Sequence, residues 1–350
     1  MIWLTWRQFR GSAVMTAAVL VILAVVLALT GPDLASRYSA GIAGCVSDDT
    51  CERFFDRFFD GYELLFVAVS FVVLALPALI GLFWGAPLIT RELEAGTHLL
   101  VWNQSVTRGR WLAVKLGLIG LAAMAAAIAS GLAVTWWSDP LDKSAVPDLA
   151  LMAPLVFGAR GIAPMGYAAF ALVLGVTVGM LVRRTLPAMA LTLAVFAAVQ
   201  FAMPLLVRPH LMPPVTGIFE LNQENMSGIH VEEQGGPVRI STRSAVPGHA
   251  GSWVLLSDLL DPSGRRIAGS GEEAPVPVSV TSGPCSPRET GPQGLDACWV
   301  EINRLGYRQQ ATYQPLDRFW PFQWIETGIY ALLTLGLTWS SFWWIRRRLS

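Results

Sequence analysis

The chain has 350 residues, of which 53% are hydrophobic and only 14% are charged, and its mean hydropathy is +0.50. A soluble domain carries about 25% charged residues, so this composition excludes an ordinary soluble protein and indicates a membrane protein. The formal net charge is zero and no basic tract occurs, so nucleic acid is not an expected partner.

The chain begins with a short amphipathic segment that leads into an apolar run. Residues 1–10 place two tryptophans and two arginines at helical spacing, which predicts a helix on the inner membrane surface. Residues 13–29 form the first predicted membrane span. A cleaved signal peptide is the alternative, but the run is longer than a usual signal core and no clean Ala-x-Ala site closes it.

Five further apolar runs are each about as long as the ~20 residues that a helix needs to cross a bilayer. They cover residues 64–84, 116–136, 164–182, 186–207 and 325–345. The sequence therefore predicts an all-α, polytopic membrane protein with six transmembrane helices. Pro77 predicts a kink in the second span. Gly175 and Gly179 form a small-xxx-small pair in the fourth span, a pattern that lets helices approach closely.

The longest polar segment lies between the fifth and sixth predicted spans. It is rich in Gly and Pro and contains β-like runs at 252–256, 276–280 and 297–302, which predict a small β-rich domain. We therefore divide the chain into a membrane domain at 1–207, the β-rich domain at 208–321, and the last span with its basic tail at 322–350. The shorter polar segments 31–61 and 138–163 are predicted to be loops.

Basic residues are distributed unequally over the two sides of this layout, in which six spans place both termini on one side. Eleven lie on the side of the termini: Arg7, Arg10, Arg91, Arg108, Arg110, Lys115, Arg183, Arg184, Arg346, Arg347 and Arg348. Five lie in the opposite short loops: Arg37, Arg53, Arg57, Lys143 and Arg160. Because cytoplasmic loops carry the excess of Lys and Arg, we expect cytoplasmic termini and an extracellular β-rich domain.

All four cysteines lie in segments that this topology places outside the cell: Cys45, Cys51, Cys285 and Cys298. Disulfides persist there and not in the cytosol. We predict the bonds Cys45–Cys51 and Cys285–Cys298, each local in sequence, while two other pairings remain possible. No metal site is expected, because the cysteine spacings do not suit zinc and no histidine closely flanks a cysteine.

The polar segment at 85–115, between the second and third spans, has its own helix signals. Thr90 is predicted to cap a short helix over residues 91–94, and Gly96 suits the end of that helix because glycine adopts a left-handed conformation without steric cost. Thr97 is predicted to cap a second short helix, and Thr107 the next span.

The second short helix would present apolar side chains at helical spacing, namely Leu99, Leu100 and Trp102. Two interpretations follow. These side chains could lie on lipid headgroups, or they could dock into a soluble partner.

Several kinds of chemistry have no motif in the sequence. No Gly-x-x-x-x-Gly-Lys-Ser/Thr phosphate loop, His-Glu-x-x-His motif or serine elbow occurs, so neither ATP binding of that kind nor an enzyme is expected. No charged residue lies in the middle of a predicted span, and Glu63 and Glu326 are expected at outer ends that water can reach. Because intramembrane charges usually mark ion paths, their absence disfavours an ion-coupled carrier or a selective ion pore.

The segment 85–115 also contains a recurring pattern: Arg-Glu, a second Glu, Gly-Thr, a Ser/Thr-x-x-Arg turn, and a Lys that leads into the next span. The matching residues are Arg91, Glu92, Glu94, Gly96, Thr97, Ser105, Arg108 and Lys115. This pattern resembles the first cytoplasmic loop of permease subunits in type-2 ABC exporters. The six-span layout, the amphipathic start and residues 307–330 before the last span add to the resemblance.

The resemblance implies a homodimer of permeases, each docked to a soluble ATPase that binds ATP and Mg. It assigns coupling to that ATPase to one set of residues: Arg91, Glu92, Glu94, Gly96, Thr97, Leu99, Leu100, Trp102 and Arg108. The chain itself would be a non-catalytic, multi-pass subunit of an exporter in a bacterial plasma membrane. The apolar faces of the spans suggest an amphipathic or hydrophobic cargo.

One departure leaves a rival function open. The segment before the last span is much longer here than the short re-entrant hairpin common in that family. The rival is a membrane-anchored extracellular binding or sensor protein, which predicts that the loop at 85–115 tolerates substitution.

Overall fold

The structure is a computed structural model that describes residues 2–46, 48–96, 107–144, 147–231, 238–279, 281–286 and 294–347. The chain forms two compact units. The first unit comprises Met1–Ser144, Pro154–Leu211 and Trp320–Ser350, and it is helical. The second unit comprises Ala145–Ala153 and Met212–Phe319, and it contains the β-strands.

The described residues form ten α-helices. In chain order they are α1 Ile2–Ala43, α2 Asp48–Asp60, α3 Glu63–Ile80, α4 Pro87–Glu94, α5 Arg108–Asp142, α6 Pro154–Gly158, α7 Ala163–Val182, α8 Thr185–Ala202, α9 Gly294–Arg304 and α10 Phe319–Arg347. A π-helical turn, Gly81–Gly85, joins α3 to α4. A second one, Met203–Val207, and a 3-10 turn, Arg208–His210, extend α8.

Five helical segments of the described chain are long and apolar enough to cross a membrane: Arg10–Ala43, Glu63–Glu94, Arg108–Asp142, Ala163–Val182 and Thr185–His210. A mostly helical, multi-pass fold is therefore confirmed. The sixth predicted span lies in α10, a 29-residue helix that is not among the five. Its tryptophan, serine and threonine side chains lower its hydropathy, so this span stays a prediction.

We predicted a loop at residues 31–61, but this polar segment is largely helical. Helix α1 continues to Ala43, and α2 follows it. The helical spacing of phenylalanines explains α2, because it gives the helix an apolar face: Phe59 is fully buried and its ring lies 5.4 Å from that of Phe66 in α3. Phe54 fits against α1 only because residue 41 is glycine, since a Cβ there would lie 2.0 Å from the ring.

Helix α7 is the centre of the first unit. Of its apolar window, 72% is buried inside the protein, against 17% for the windows in α1 and α8. The backbone of α7 comes very close to the π-helical turn that follows α3. A Cβ on Gly175 would lie 2.5 Å from the Gly81 carbonyl oxygen and 2.7 Å from the Ala86 amide nitrogen. Glycine is therefore required where these two backbones touch.

The second unit contains two antiparallel sheets. The strands are β1 Val215–Phe219, β2 Met226–Val231, β3 Val238–Thr242, β4 Trp253–Leu260, β5 Arg266–Gly269, β6 Glu273–Val276 and β7 Arg308–Gln314. One sheet has the order β1-β7-β4-β5 and the other β2-β3-β6. The small β-rich unit is therefore confirmed, and β4 contains most of the predicted run 252–256.

The predicted strand at 297–302 is wrong, because these residues belong to α9. Trp299 and Ile302 lie on one face of this helix, are buried at 5% and 0% exposure, and pack in the core of the unit. A three-residue spacing puts two side chains on one helical face, whereas a strand would put them on opposite faces.

One of the two predicted disulfides is present in the structure. Cys285 is bonded to Cys298, which tethers α9 to the segment before it. Cys45 and Cys51 carry free thiols, so the predicted bond between them is not formed. Cys45 follows the end of α1 and Cys51 lies in the first turn of α2, where Cys51 raises the pKa of the Cys45 thiol.

Candidate functional site

The loop between the second and third predicted spans begins with α4. We predicted that Thr90 caps this helix, but α4 already starts at Pro87 and Thr90 lies inside it. The Thr90 hydroxyl donates to the Ala86 carbonyl oxygen at 2.9 Å, four residues earlier. Proline starts the helix without cost, because the first turn of a helix needs no amide donor.

The other helix signals of this loop agree with the structure where it is described. Gly96 has φ +66° and donates its amide to the Leu93 carbonyl oxygen at 3.3 Å, which ends α4 as predicted. Thr107 caps α5 by accepting a hydrogen bond from the Arg110 amide at 3.3 Å.

Five predicted coupling-loop residues fall outside the described residues: Thr97, Leu99, Leu100, Trp102 and Ser105. The second short helix and its docking face therefore stay predictions. The structure does describe the two ends that hold this segment, α4 before it and the start of α5 after it.

A buried ion pair fastens α4 to α5. The Lys115 ammonium lies 2.5 Å from a Glu92 carboxylate oxygen, and the two side chains are only 4% and 6% exposed. Lys115 also donates to the Leu88 carbonyl oxygen at 3.4 Å and lies 4.6 Å from the centre of the Trp111 ring. Removing one partner of a buried pair leaves a charge without compensation, which costs about 3–5 kcal/mol.

A second carboxylate of α4 contacts the start of α8. One Glu94 oxygen accepts the Thr185 amide at 2.8 Å, and the other accepts the Thr185 hydroxyl at 2.6 Å. The buried Thr90 hydroxyl lies 3.0 Å from the same Thr185 hydroxyl. Helix α4 is thus held on one side by α5 and on the other by α8.

Apolar side chains from four helices surround these polar contacts. They form one buried cluster: Ile89, Trp111, Leu112, Val176, Met180 and Ile345. They come from α4, α5, α7 and α10, so the base of the loop is part of the packed helical unit. The predicted coupling residues therefore differ in environment: Glu92 is buried, whereas Arg91 is exposed and Arg108 is half-buried.

The opposite ends of the helices carry a buried polar layer that sequence reasoning missed. We expected water to reach Glu326, but its side chain is fully buried. Arg208 donates to its two carboxylate oxygens at 2.8 and 3.0 Å, and the Tyr167 hydroxyl donates to it as well. The Arg208 guanidinium lies 4.2 Å from the centre of the Phe157 ring.

The same layer contains a buried amide and a second buried ion pair. The Gln323 side chain accepts the amides of Ile162 and Ala163 at 3.1 and 2.8 Å, and so caps the start of α7. Arg160, which is fully buried, lies 3.6 Å from Asp142. The sequence indicates this layer only through two polar residues, Gln323 and Glu326, among the aromatic residues at the start of α10. Their partners could not be identified from the sequence, because they lie more than 100 residues away along the chain.

Comparison with known protein families decides the class of this molecule. A family model described as "ABC-2 membrane transporter related" matches residues 17–208, which is more than half of the 350 residues. The chain belongs to the ABC-2 membrane transporter related family. No curated protein and no solved structure matches it.

The range matched by the family model includes the candidate site. The matched residues include α4, both of its anchors at Lys115 and Thr185, and all or most of each of the five apolar helical segments. The ABC-2-related chain is a membrane subunit of a transporter, and its family implies an ABC ATPase as partner. The loop that α4 opens also lies within the matched residues.

Proposed function

We propose that this chain is the membrane-spanning permease subunit of an exporter driven by a separate ABC ATPase. The observation that carries the proposal is the family match over residues 17–208, which covers the loop and the helices that hold it. ATP and Mg bind the ATPase, and this chain contributes the translocation path. Two copies of the permease assemble, each with one ATPase.

In this proposal, the segment at 97–106 docks into the ATPase through Leu99, Leu100 and Trp102. ATP-driven closure of the ATPase moves the segment, and the ends of the segment carry the motion into the helices. The anchoring of α4 supports this role, because a loop tied to α5 by the buried Glu92–Lys115 pair cannot move alone.

We place the termini and the loop in the cytoplasm of a bacterial cell and the second unit outside, with α10 as the sixth span. The excess of basic residues on the side of the termini supports this topology. The Cys285–Cys298 disulfide supports an extracellular second unit, because disulfides are rare in the cytosol.

The cargo that we propose is an amphipathic or hydrophobic compound. Exposed apolar side chains on α1 and α8, for example Leu29, Leu186 and Phe201, favour contact with lipid and lipid-like molecules. Transport of a charged, water-soluble cargo instead would contradict this part of the proposal.

The test is co-purification. The chain is expressed with a candidate soluble ABC ATPase, and association and ATP hydrolysis are measured in lipid. The double variant Leu100→Asp, Trp102→Asp places charges on the proposed docking face and should abolish association. Leu256→Asp is the matched control, since Leu256 lies on β4 of the second unit and is 61% exposed. If the double variant associates as the control does, the loop is not the docking element.

One observation favours the rival function, a binding protein that acts through its second unit. A cleft of about 360 Å³ in that unit is lined by polar side chains, which include Ser227, Arg243 and Ser270. This rival predicts that no ATPase associates with the unmodified chain and that the loop variants keep full function. The same co-purification therefore decides between the two.

A further inference from the structure

The turn between α7 and α8 contains no side chain that caps α8. Arg183 ends α7 with φ +56°, a left-handed conformation that costs free energy for any residue with a Cβ. Arg184 is the N-cap of α8, but its side chain makes no capping hydrogen bond. The first amides of a helix have no partner within the helix, so an acceptor from another segment can stabilise the start of α8.

Glu94 supplies that acceptor from a different segment of the chain. Its carboxylate accepts both the amide and the hydroxyl of Thr185, the first residue of α8, at 2.8 and 2.6 Å. The two residues are 91 positions apart. A negative charge is also favourable at this place, because the N-terminus of a helix carries partial positive charge.

The two carboxylates of α4 contact different helices. Residues two positions apart on a helix do not face each other. Accordingly, Glu92 faces Lys115 of α5, whereas Glu94 faces Thr185 of α8. Both Glu94 oxygens accept a hydrogen bond from Thr185, so the contact with α8 alone accounts for the orientation of this carboxylate.

We infer that Glu94 is a positioning residue that transmits movement of α4 to α8, and not a residue that docks the ATPase. The inference rests on the proposed function, in which the ATPase moves the loop. It adds a route: from the loop through α4 and the Glu94–Thr185 contact to the fifth apolar helix. The buried Thr90 hydroxyl lies beside this contact, 3.0 Å from that of Thr185.

Hydrogen exchange with mass spectrometry can follow both ends of this route. The full chain in complex with its ATPase is compared in the nucleotide-free state and with a non-hydrolysable ATP analogue. Two peptides are measured, one that covers α4 and one that covers the first two turns of α8. In the unmodified complex we expect the analogue to change the exchange of both peptides.

Two variants should break the route without removing the ATPase. Glu94→Gln keeps the size of the side chain but loses its charge and one acceptor, and Thr185→Val loses the hydroxyl donor. Loss of a helix cap shifts the opening of the first helical turn by roughly 2- to 30-fold, and exchange reports that opening. We expect the ATPase to associate normally and the analogue to change α4 only. Thr185→Ser, which keeps the hydroxyl, should restore the response of α8.

Glu63→Gln is the matched control, because Glu63 is exposed at the start of α3 and should leave both responses unchanged. If α8 of the Glu94→Gln variant still responds to the analogue as in the unmodified complex, the inference is wrong. It is also wrong if α4 of the unmodified complex responds but α8 does not, and the proposed function then stands. If no ATPase associates with the unmodified chain, the proposed function fails and this inference fails with it.

Discussion

At the scale of single residues, the buried charges determine how the helices are held together. Arg208 and Glu326 are 2% and 0% exposed, and no bulk water stabilises either charge. Each charge is therefore stabilised chiefly by its partner. A buried pair is costly to break, although replacing it by well-packed apolar side chains is often neutral or favourable.

We expect Glu326→Ala to lower the free energy of unfolding by about 3–5 kcal/mol, because Arg208 would then be buried without a counter-charge. The double variant Arg208→Met, Glu326→Leu should recover most of this loss. Denaturant unfolding in detergent measures both effects. The control is Arg304→Ala, which breaks an ion pair whose arginine is 70% exposed and should cost at most about 1 kcal/mol. A Glu326→Ala variant as stable as this control would contradict the role given to the pair.

The free thiol pair gives a prediction that depends on pH. The hydrogen bond with Cys51 raises the pKa of the Cys45 thiol from 9.0 to about 11, and slight burial and the nearby Cys51 act in the same direction. The folded pKa lies above the unfolded one, so the contact stabilises the folded chain below pH 9.0 and this contribution is lost as the pH rises through 11.

Only the thiolate reacts rapidly with alkylating reagents. We therefore expect Cys45 of the folded, reduced protein to react with iodoacetamide more slowly at pH 9 than Cys45 of the protein unfolded in urea. Mass spectrometry of the peptide that contains Cys45 measures the two rates, with Cys51 replaced by alanine as the control in which folding should no longer slow the reaction. Equal rates in the folded and unfolded protein with Cys51 present would show that the thiols do not interact.

At the scale of elements, the bilayer itself explains what the sequence predicts well. A span must be about 20 apolar residues long, so apolar runs identify α3, α5, α7 and α8 with little ambiguity. The short amphipathic elements are harder to predict from the sequence, because a pattern of only a few apolar residues is compatible with either a strand or a helix. The segment of α9 was predicted as a strand and that of α2 as a loop, and the packing of Trp299 and Phe59 in their cores decides both.

The polar contacts of the candidate site could not be predicted from the lengths and spacing of apolar runs. A motif can indicate that Glu92, Glu94 and Lys115 belong to one loop, but it does not say which partner each residue contacts. Glu94 and Thr185 are 91 residues apart and meet only because α4 packs beside the start of α8.

The contact between α7 and the π-helical turn gives a prediction at this scale. Gly175→Ala places a Cβ less than 3.0 Å from one backbone atom each of Gly81, Gly85 and Ala86, and backbone cannot move aside as the end of a flexible side chain can. We expect a loss of about 1–3 kcal/mol from this overpacking. The matched control is Gly328→Ala in α10, where a Cβ meets nothing within 4 Å and alanine should stabilise the helix by about 0.5–1 kcal/mol. Thermal unfolding of the two variants should therefore shift in opposite directions.

At the scale of the whole molecule, the proposed transport function depends on which side of the membrane each unit faces. The proposal places the loop in the cytoplasm, where it can meet an ATPase, and the second unit outside the cell. Single cysteines in a Cys45→Ser, Cys51→Ser background can test both statements. Ala95→Cys marks the end of α4 and Ala250→Cys marks the second unit, and both residues are exposed.

A membrane-impermeant maleimide on intact cells should label Ala250→Cys and leave Ala95→Cys unlabelled, whereas permeabilised cells should show both. Ser350→Cys tests the sixth span, because six spans place it with Ala95 and five spans place it on the opposite side. Labelling of Ala95→Cys from outside would rule out contact between the loop and a cytoplasmic ATPase. If intact cells label Ser350→Cys but not Ala95→Cys, the loop still faces the cytoplasm and α10 does not cross the membrane.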